Sequence, residues 1–83
     1  MNRFKKASKL VREARESVGM TQKDIKEKVG FQTNQMISNI ENGRCPIPPT
    51  CLKKYAKTLK VPLSKIQAAM AEDYLTNLRA ASK

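Results

Sequence analysis

The stretch TNQMISNIENG, residues 33–43, carries four side chains, Asn34, Gln35, Ser38 and Asn39, whose amides and hydroxyl both donate and accept hydrogen bonds. Ile37 and Ile40 stand three apart and so share one helical face, which leaves the polar four around the other faces. An exposed carboxamide matches the N6 and N7 edge of adenine in a DNA major groove, where a good bidentate pair discriminates by about 1–3 kcal/mol. The alternative for each is a solvated face or a helix cap. Met36 has two readings, a filler of the core, which is the expectation, or an apolar contact to a thymine methyl. Thr33 suits the N-cap and Asn42-Gly43 the stop, because glycine tolerates the left-handed backbone that ends helices. A helix of about nine residues is short enough to lie across a groove roughly 12 Å wide.

So short a helix needs other elements to hold it. After a basic arm over residues 1–8, Ala7, Leu10, Val11, Ala14 and Val18 recur at spacings of three and four and predict an amphipathic first helix, which Gly19 ends. Its polar face carries Lys5, Lys6, Lys9, Arg12 and Arg15 and is expected to be solvated for the most part. TQKDIKEKVG then predicts a two-turn helix: Thr21 caps it, Asp24 complements its positive end, Ile25 and Val29 point inward, and Gly30 stops it. Two short helices joined by a glycine-led turn make a helix-turn-helix arrangement over about 21–42.

RCPIPPT follows as a turn set by prolines, with Pro48 or Pro49 in the first turn of a fourth helix. Leu52, Tyr55, Ala56 and Leu59 form that helix's buried stripe. Val61-Pro62 interrupts it and opens a last helix over about 62–80, with a seam of Leu63, Ile66, Met70, Tyr74 and Leu78 and a second apolar edge of Ala68, Ala71 and Leu75. Ile66 and Met70 are expected in the core and Leu75 and Leu78 against a partner copy, the alternative being a C-terminal helix packed on its own domain. With no strand pattern and no repeat, the expectation is an all-α, compact five-helix bundle forming a single domain over 1–83.

The formal charge is +10, from 17 Lys and Arg against 7 acids, which points to a polyanionic partner. Nucleic acid fits better than a membrane surface, since the cations are spread over several helices and not gathered on one strongly apolar one. No apolar run approaches the ~18 residues of a membrane span, and MNRFKKASK lacks the apolar core of a secretory signal, so a cytoplasmic location is expected. Cys45 and Cys51 without histidine or a CxxC pair argue against zinc. They are expected as free thiols, with a thiol switch as the alternative. No P-loop, nucleophile motif or metal cluster suggests an enzyme or a cofactor. Between Glu41 and Glu72 the charges are of one sign, and Arg44, Lys53 and Lys54 are expected to face phosphates while Lys57 and Lys60 are solvated.

GMTQKDIKEKVG followed by ISNIENG resembles the Xre family, the Cro and C1 repressor type of helix-turn-helix domain, over about 10–70. Thr21-Gln22, Gly30 and Ile-x-x-Ile-Glu-Asn-Gly at 37–43 carry the resemblance together. It implies a lambda-repressor-like bundle that binds double-stranded DNA, usually as a homodimer on a palindromic operator. It implies base reading by Asn34, Gln35, Ser38 and Asn39, and phosphate contacts from Thr21, Gln22, Lys26, Asn42, Arg44, Lys53 and Lys54. Arg15 and Glu41 match a pair that joins the first helix to the third, a structural role that their burial would reinforce. In two places the chain departs from the family pattern. The loop Gly30-Phe31-Gln32-Thr33 is one residue longer than the commonest form, and Lys26 replaces a small alanine, so that its stem must pack while its ammonium reaches solvent or phosphate. The expected function is transcription regulation, most simply repression. An antitoxin that also binds a toxin, and the controller of a restriction-modification operon, are the alternatives.

Overall fold

Capping chemistry and prolines divide the chain into α1 (Lys5–Ser17), α2 (Gln22–Val29), α3 (Asn34–Glu41), α4 (Pro49–Leu59) and α5 (Leu63–Ala81). The computed structural model describes residues 3–81, and among them there is no strand. At α2 the Thr21 hydroxyl accepts from the Asp24 N–H at 3.1 Å while the Asp24 carboxylate accepts from the Thr21 N–H at 2.9 Å, a reciprocal capping box. Gly30 ends that helix at φ 90°, a conformation that only glycine adopts without cost. Pro49 opens α4 at the position where a missing N–H is harmless.

One apolar cluster unites the helices, with Val11, Ile25, Ile37, Ile47, Tyr55, Leu59 and Ile66 almost wholly enclosed. Each such side chain contributes about 1.5–3 kcal/mol on burial. Phe31 joins them from the turn, its ring edge-on to Tyr55 with centroids 5.8 Å apart. The longer turn is thus occupied by a core anchor, and Thr33 still stands at the N-cap position of α3. Thr33 has the extended backbone of a cap, yet its side chain makes no capping hydrogen bond, contrary to expectation.

At the N-terminus and along α5 the fold differs from the sequence reading. The expected basic arm is helical from Lys5, and the N–H groups of Arg3 and Phe4 donate to the Gly43 carbonyl at 2.9 and 3.3 Å; Met1 and Asn2 lie outside the described residues. On α5 the seam is rotated: Tyr74 and Leu78 are 66 % and 53 % exposed, whereas Ala69 and Asp73 are buried. The reason lies in α1, whose N-cap residue is Phe4 and has no side-chain acceptor. Asp73 supplies one from across the bundle, accepting from the N–H groups of Lys6 and Ala7 at 2.9 Å each. Asn77 extends the same edge by donating to the Arg3 carbonyl at 2.8 Å.

Asp73→Ala is expected to lower stability by about 2–3 kcal/mol, because it removes two charge-assisted bonds and orphans two N–H groups of α1. Chemical denaturation followed by circular dichroism reads this directly. A midpoint equal to that of the parent protein would show that water replaces the carboxylate without loss.

Candidate nucleic-acid interface

The two faces of α3 have separate tasks. Ile37, Ile40 and Glu41 are buried, while Asn34, Gln35 and Met36 are exposed and Ser38 and Asn39 half-buried. Met36, at 37 % exposure, lies on the outer surface and not in the core where it was expected. With Ile37 and Ile40 already filling the inward stripe of an eight-residue helix, the position before Ile37 turns outward. The Gln35 amide donates to Asn39 Oδ1 at 3.0 Å, and the Asn42 amide donates to Ser38 Oγ at 3.3 Å. Each contact joins residues one turn apart, so the polar surface is ordered in advance. Gln35 keeps its carbonyl oxygen and Asn39 its NH2 group for a partner.

The inward side of the same helix is held by charge. Arg15 Nε and Nη2 donate to the two Glu41 oxygens at 2.7 and 3.1 Å, and Arg15 Nη1 donates to the Met20 carbonyl at 2.9 Å. This fork joins α1 to α3 and raises the Arg15 pKa, chiefly through the hydrogen bond to Glu41. The Gln22 amide donates to Glu41 Oε1 at 3.2 Å. Gln22 thus commits one N–H of its NH2 group to the end of α3, bracing that helix, and keeps the second N–H and its carbonyl oxygen uncommitted. Tyr55 is buried in the same electrostatic neighbourhood, and its hydroxyl has no hydrogen-bond partner among the described residues. Burial, then the Glu41 carboxylate, pushes its pKa up.

Around this centre stand the cations and short polar groups. Arg44 is exposed, and its backbone N–H donates to the Asn39 carbonyl at 2.9 Å. Lys53 and Lys54 are exposed on α4, and Lys26 is half-buried on α2. Thr21 is exposed, and its hydroxyl oxygen accepts from the Asp24 N–H. The Thr21 N–H, its first cause, holds the Asp24 carboxyl below its ordinary pKa, with Lys28 and Lys23 adding to the shift. The cap therefore persists as pH falls through the usual carboxylate range and is lost below it.

The helix-turn-helix family profile matches residues 11–66, two thirds of the chain. The chain belongs to the Cro/C1-type helix-turn-helix family. Comparison with curated proteins and with solved structures gives no match. The matched span of this helix-turn-helix protein takes in α2, α3 and α4 whole and ends in the first turn of α5. Asp73, Asn77 and the exposed apolar residues of α5 all lie past it.

Tyr74, Leu75 and Leu78 are 66 %, 49 % and 53 % exposed, and with exposed Ala71 they fall at i, i+3, i+4 and i+7 on one face of α5. The bundle leaves this stripe uncovered. Of the cysteines, both are free and half-buried against the core. Burial raises the Cys45 thiol pKa, which disfavours the reactive thiolate. The polar face of α1 is neutralised in part by exposed pairs, Lys9 with Glu13 at 4.0 Å and Arg12 with Glu16 at 3.6 Å. No helix among the described residues is long and apolar enough to cross a membrane.

Proposed function

We propose that this helix-turn-helix protein is a cytoplasmic transcriptional repressor that binds a palindromic operator as a homodimer, with α3 in the major groove. The observation that carries the reading is the division of α3. Its inner side is clamped by Ile37, Ile40 and the Arg15–Glu41 fork, and its outer side presents Asn34, Gln35, Ser38 and Asn39 in bonded pairs or alone. Bases are read by those four residues. Thr21, Gln22, Lys26, Asn42, Arg44, Lys53 and Lys54 hold phosphates on either side and set the register. Met36, being exposed, supplies an apolar contact suited to a thymine methyl.

A module with so few base contacts gains specificity by pairing, on half-sites about one DNA turn apart. Leu75 and Leu78, with Tyr74 and Ala71, provide the contact surface. The same exposed stripe supports a second reading, an antitoxin that docks a toxin there. A homodimer that persists at high dilution supports the repressor; a neighbour-encoded protein that co-purifies in fixed ratio supports the antitoxin. A controller of a restriction-modification operon would differ only in the gene it regulates.

Selection of bound genomic fragments at a stated salt concentration yields the operator. On it, Gln35→Ala is expected to weaken binding about 5- to 150-fold, the loss of one bidentate contact. Affinity for random duplex and the thermal midpoint should stay as they were. Equal operator affinity of variant and parent would remove Gln35 from the reading set.

A further inference from the structure

A shallow depression of about 440 Å³ lies beside α2 and α4, lined by Met20, Lys28, Lys54, Lys57, Thr58 and Lys60. Four of these six residues are lysines, and no acidic residue lines it. Lys54 and Lys57 lie one turn apart on α4, Lys60 caps the helix, and Lys28 faces them from α2. Among the described residues none of the four takes part in an ion pair within 4 Å, although Lys6, Lys9, Arg12 and Arg15 all do. Asp24, a turn before Lys28, is already committed to Thr21. Gathering four like charges around a concavity is unfavourable unless an anion offsets them.

A second, independent observation concerns the backbone. Among the described residues, Lys60 is the one non-glycine residue with positive φ, at φ 58° and ψ 39°. Glycine serves best in this left-handed C-cap position, and a lysine there holds strain at a position that lines the depression.

We propose that Lys28, Lys54, Lys57 and Lys60 form a second anion site, for a ligand with closely spaced phosphate groups. Two sources share that chemistry: a free polyphosphate, or the backbone of DNA flanking the operator. Lys57 and Lys60 stand about 4.5 and 9 Å along the α4 axis beyond Lys54, away from the turn that leaves α3. In the flanking-DNA case they would meet phosphates outside the minimal half-site. The flanking-DNA source rests on the repressor reading, whereas the free-anion source does not.

The test uses the full chain. Calorimetric titration with inorganic tripolyphosphate at constant ionic strength is expected to show one saturable site per chain. The double variant Lys57→Gln/Lys60→Gly should weaken it at least tenfold, while Lys65→Gln, a cation outside the depression, should not. Lys60→Gly alone should raise the melting temperature by relieving the left-handed strain and still weaken the anion, which separates loss of binding from loss of fold. If tripolyphosphate does not saturate, the proposal survives only where the double variant loses affinity for an operator extended by flanking base pairs and not for the minimal operator. Failure in both arms overturns it, as does equal weakening by Lys65→Gln. If no operator is found at all, the repressor reading fails while the tripolyphosphate arm still decides this site.

Discussion

Arg15→Ala is expected to destabilise the protein by about 3–5 kcal/mol, the cost of breaking a buried ion pair from one side. Its Glu41 partner is 3 % exposed in the side chain and accepts three hydrogen bonds, two from Arg15 and one from Gln22. Truncation leaves one neutral donor on a carboxylate that remains buried beside an unpartnered Tyr55 hydroxyl. It also orphans the Met20 carbonyl at the turn before α2. A domain of this length has a total stability of about 4–12 kcal/mol, so the loss takes a large share of it, and at the low end of that range the variant would be partly unfolded at 37 °C.

Neighbouring ion pairs provide the contrast. Lys9–Glu13 and Arg12–Glu16 are exposed at both ends, and breaking either should cost no more than about 0.5 kcal/mol. Replacing both buried partners, as in Arg15→Met with Glu41→Leu, should recover most of the loss, because no charge is then stranded. Urea denaturation of these four variants beside the parent protein measures all of this. A loss below about 1 kcal/mol for Arg15→Ala would mean that water reaches Glu41 and that the fork is ornamental to stability.

Operator affinity is expected to fall by about 10³- to 10⁵-fold between 50 and 200 mM salt, if the proposed dimer covers about 6–10 phosphates. Two copies of Lys26, Arg44, Lys53 and Lys54 supply eight cations, within that range. Each releases a condensed counterion on binding, and released ions are what added salt opposes. A slope corresponding to two or three phosphates would remove most of these residues from the interface. Fluorescence anisotropy on one labelled operator, repeated across salt, provides the measurement.

What could be read from the sequence divides by range. The capping box at Thr21 and Asp24, the glycine stop at Gly30, the proline start of α4 and the anchors Ile37 and Ile40 all act within a few residues. Their physics is local, and periodicity exposes it. The rotated seam of α5 is not local: Asp73 is buried because α1, some sixty residues away in the chain, begins at a phenylalanine that cannot cap it. An apolar seam drawn through Tyr74 and Leu78 follows the usual preference for burying large side chains, and a polar cap outweighs it here. Met36 and Phe31 show the same limit in opposite directions. One was expected inside and lies outside; the other, in a turn, lies in the core against Tyr55.

Gly43, at the end of α3, receives the N–H groups of Arg3 and Phe4, and the carbonyl of Arg3 is in turn held by Asn77. The helix proposed to meet a partner and the helix proposed to meet bases are thus jaws of one calliper, joined through a strap a single residue wide. A dimer formed on α5 would inherit a fixed gauge between its two reading helices. One extra base pair between half-sites, about 3.4 Å of rise and roughly a tenth of a turn of twist, would then have to be absorbed by the DNA. The protein would measure the operator's spacing with the same residues that close its own N-terminus.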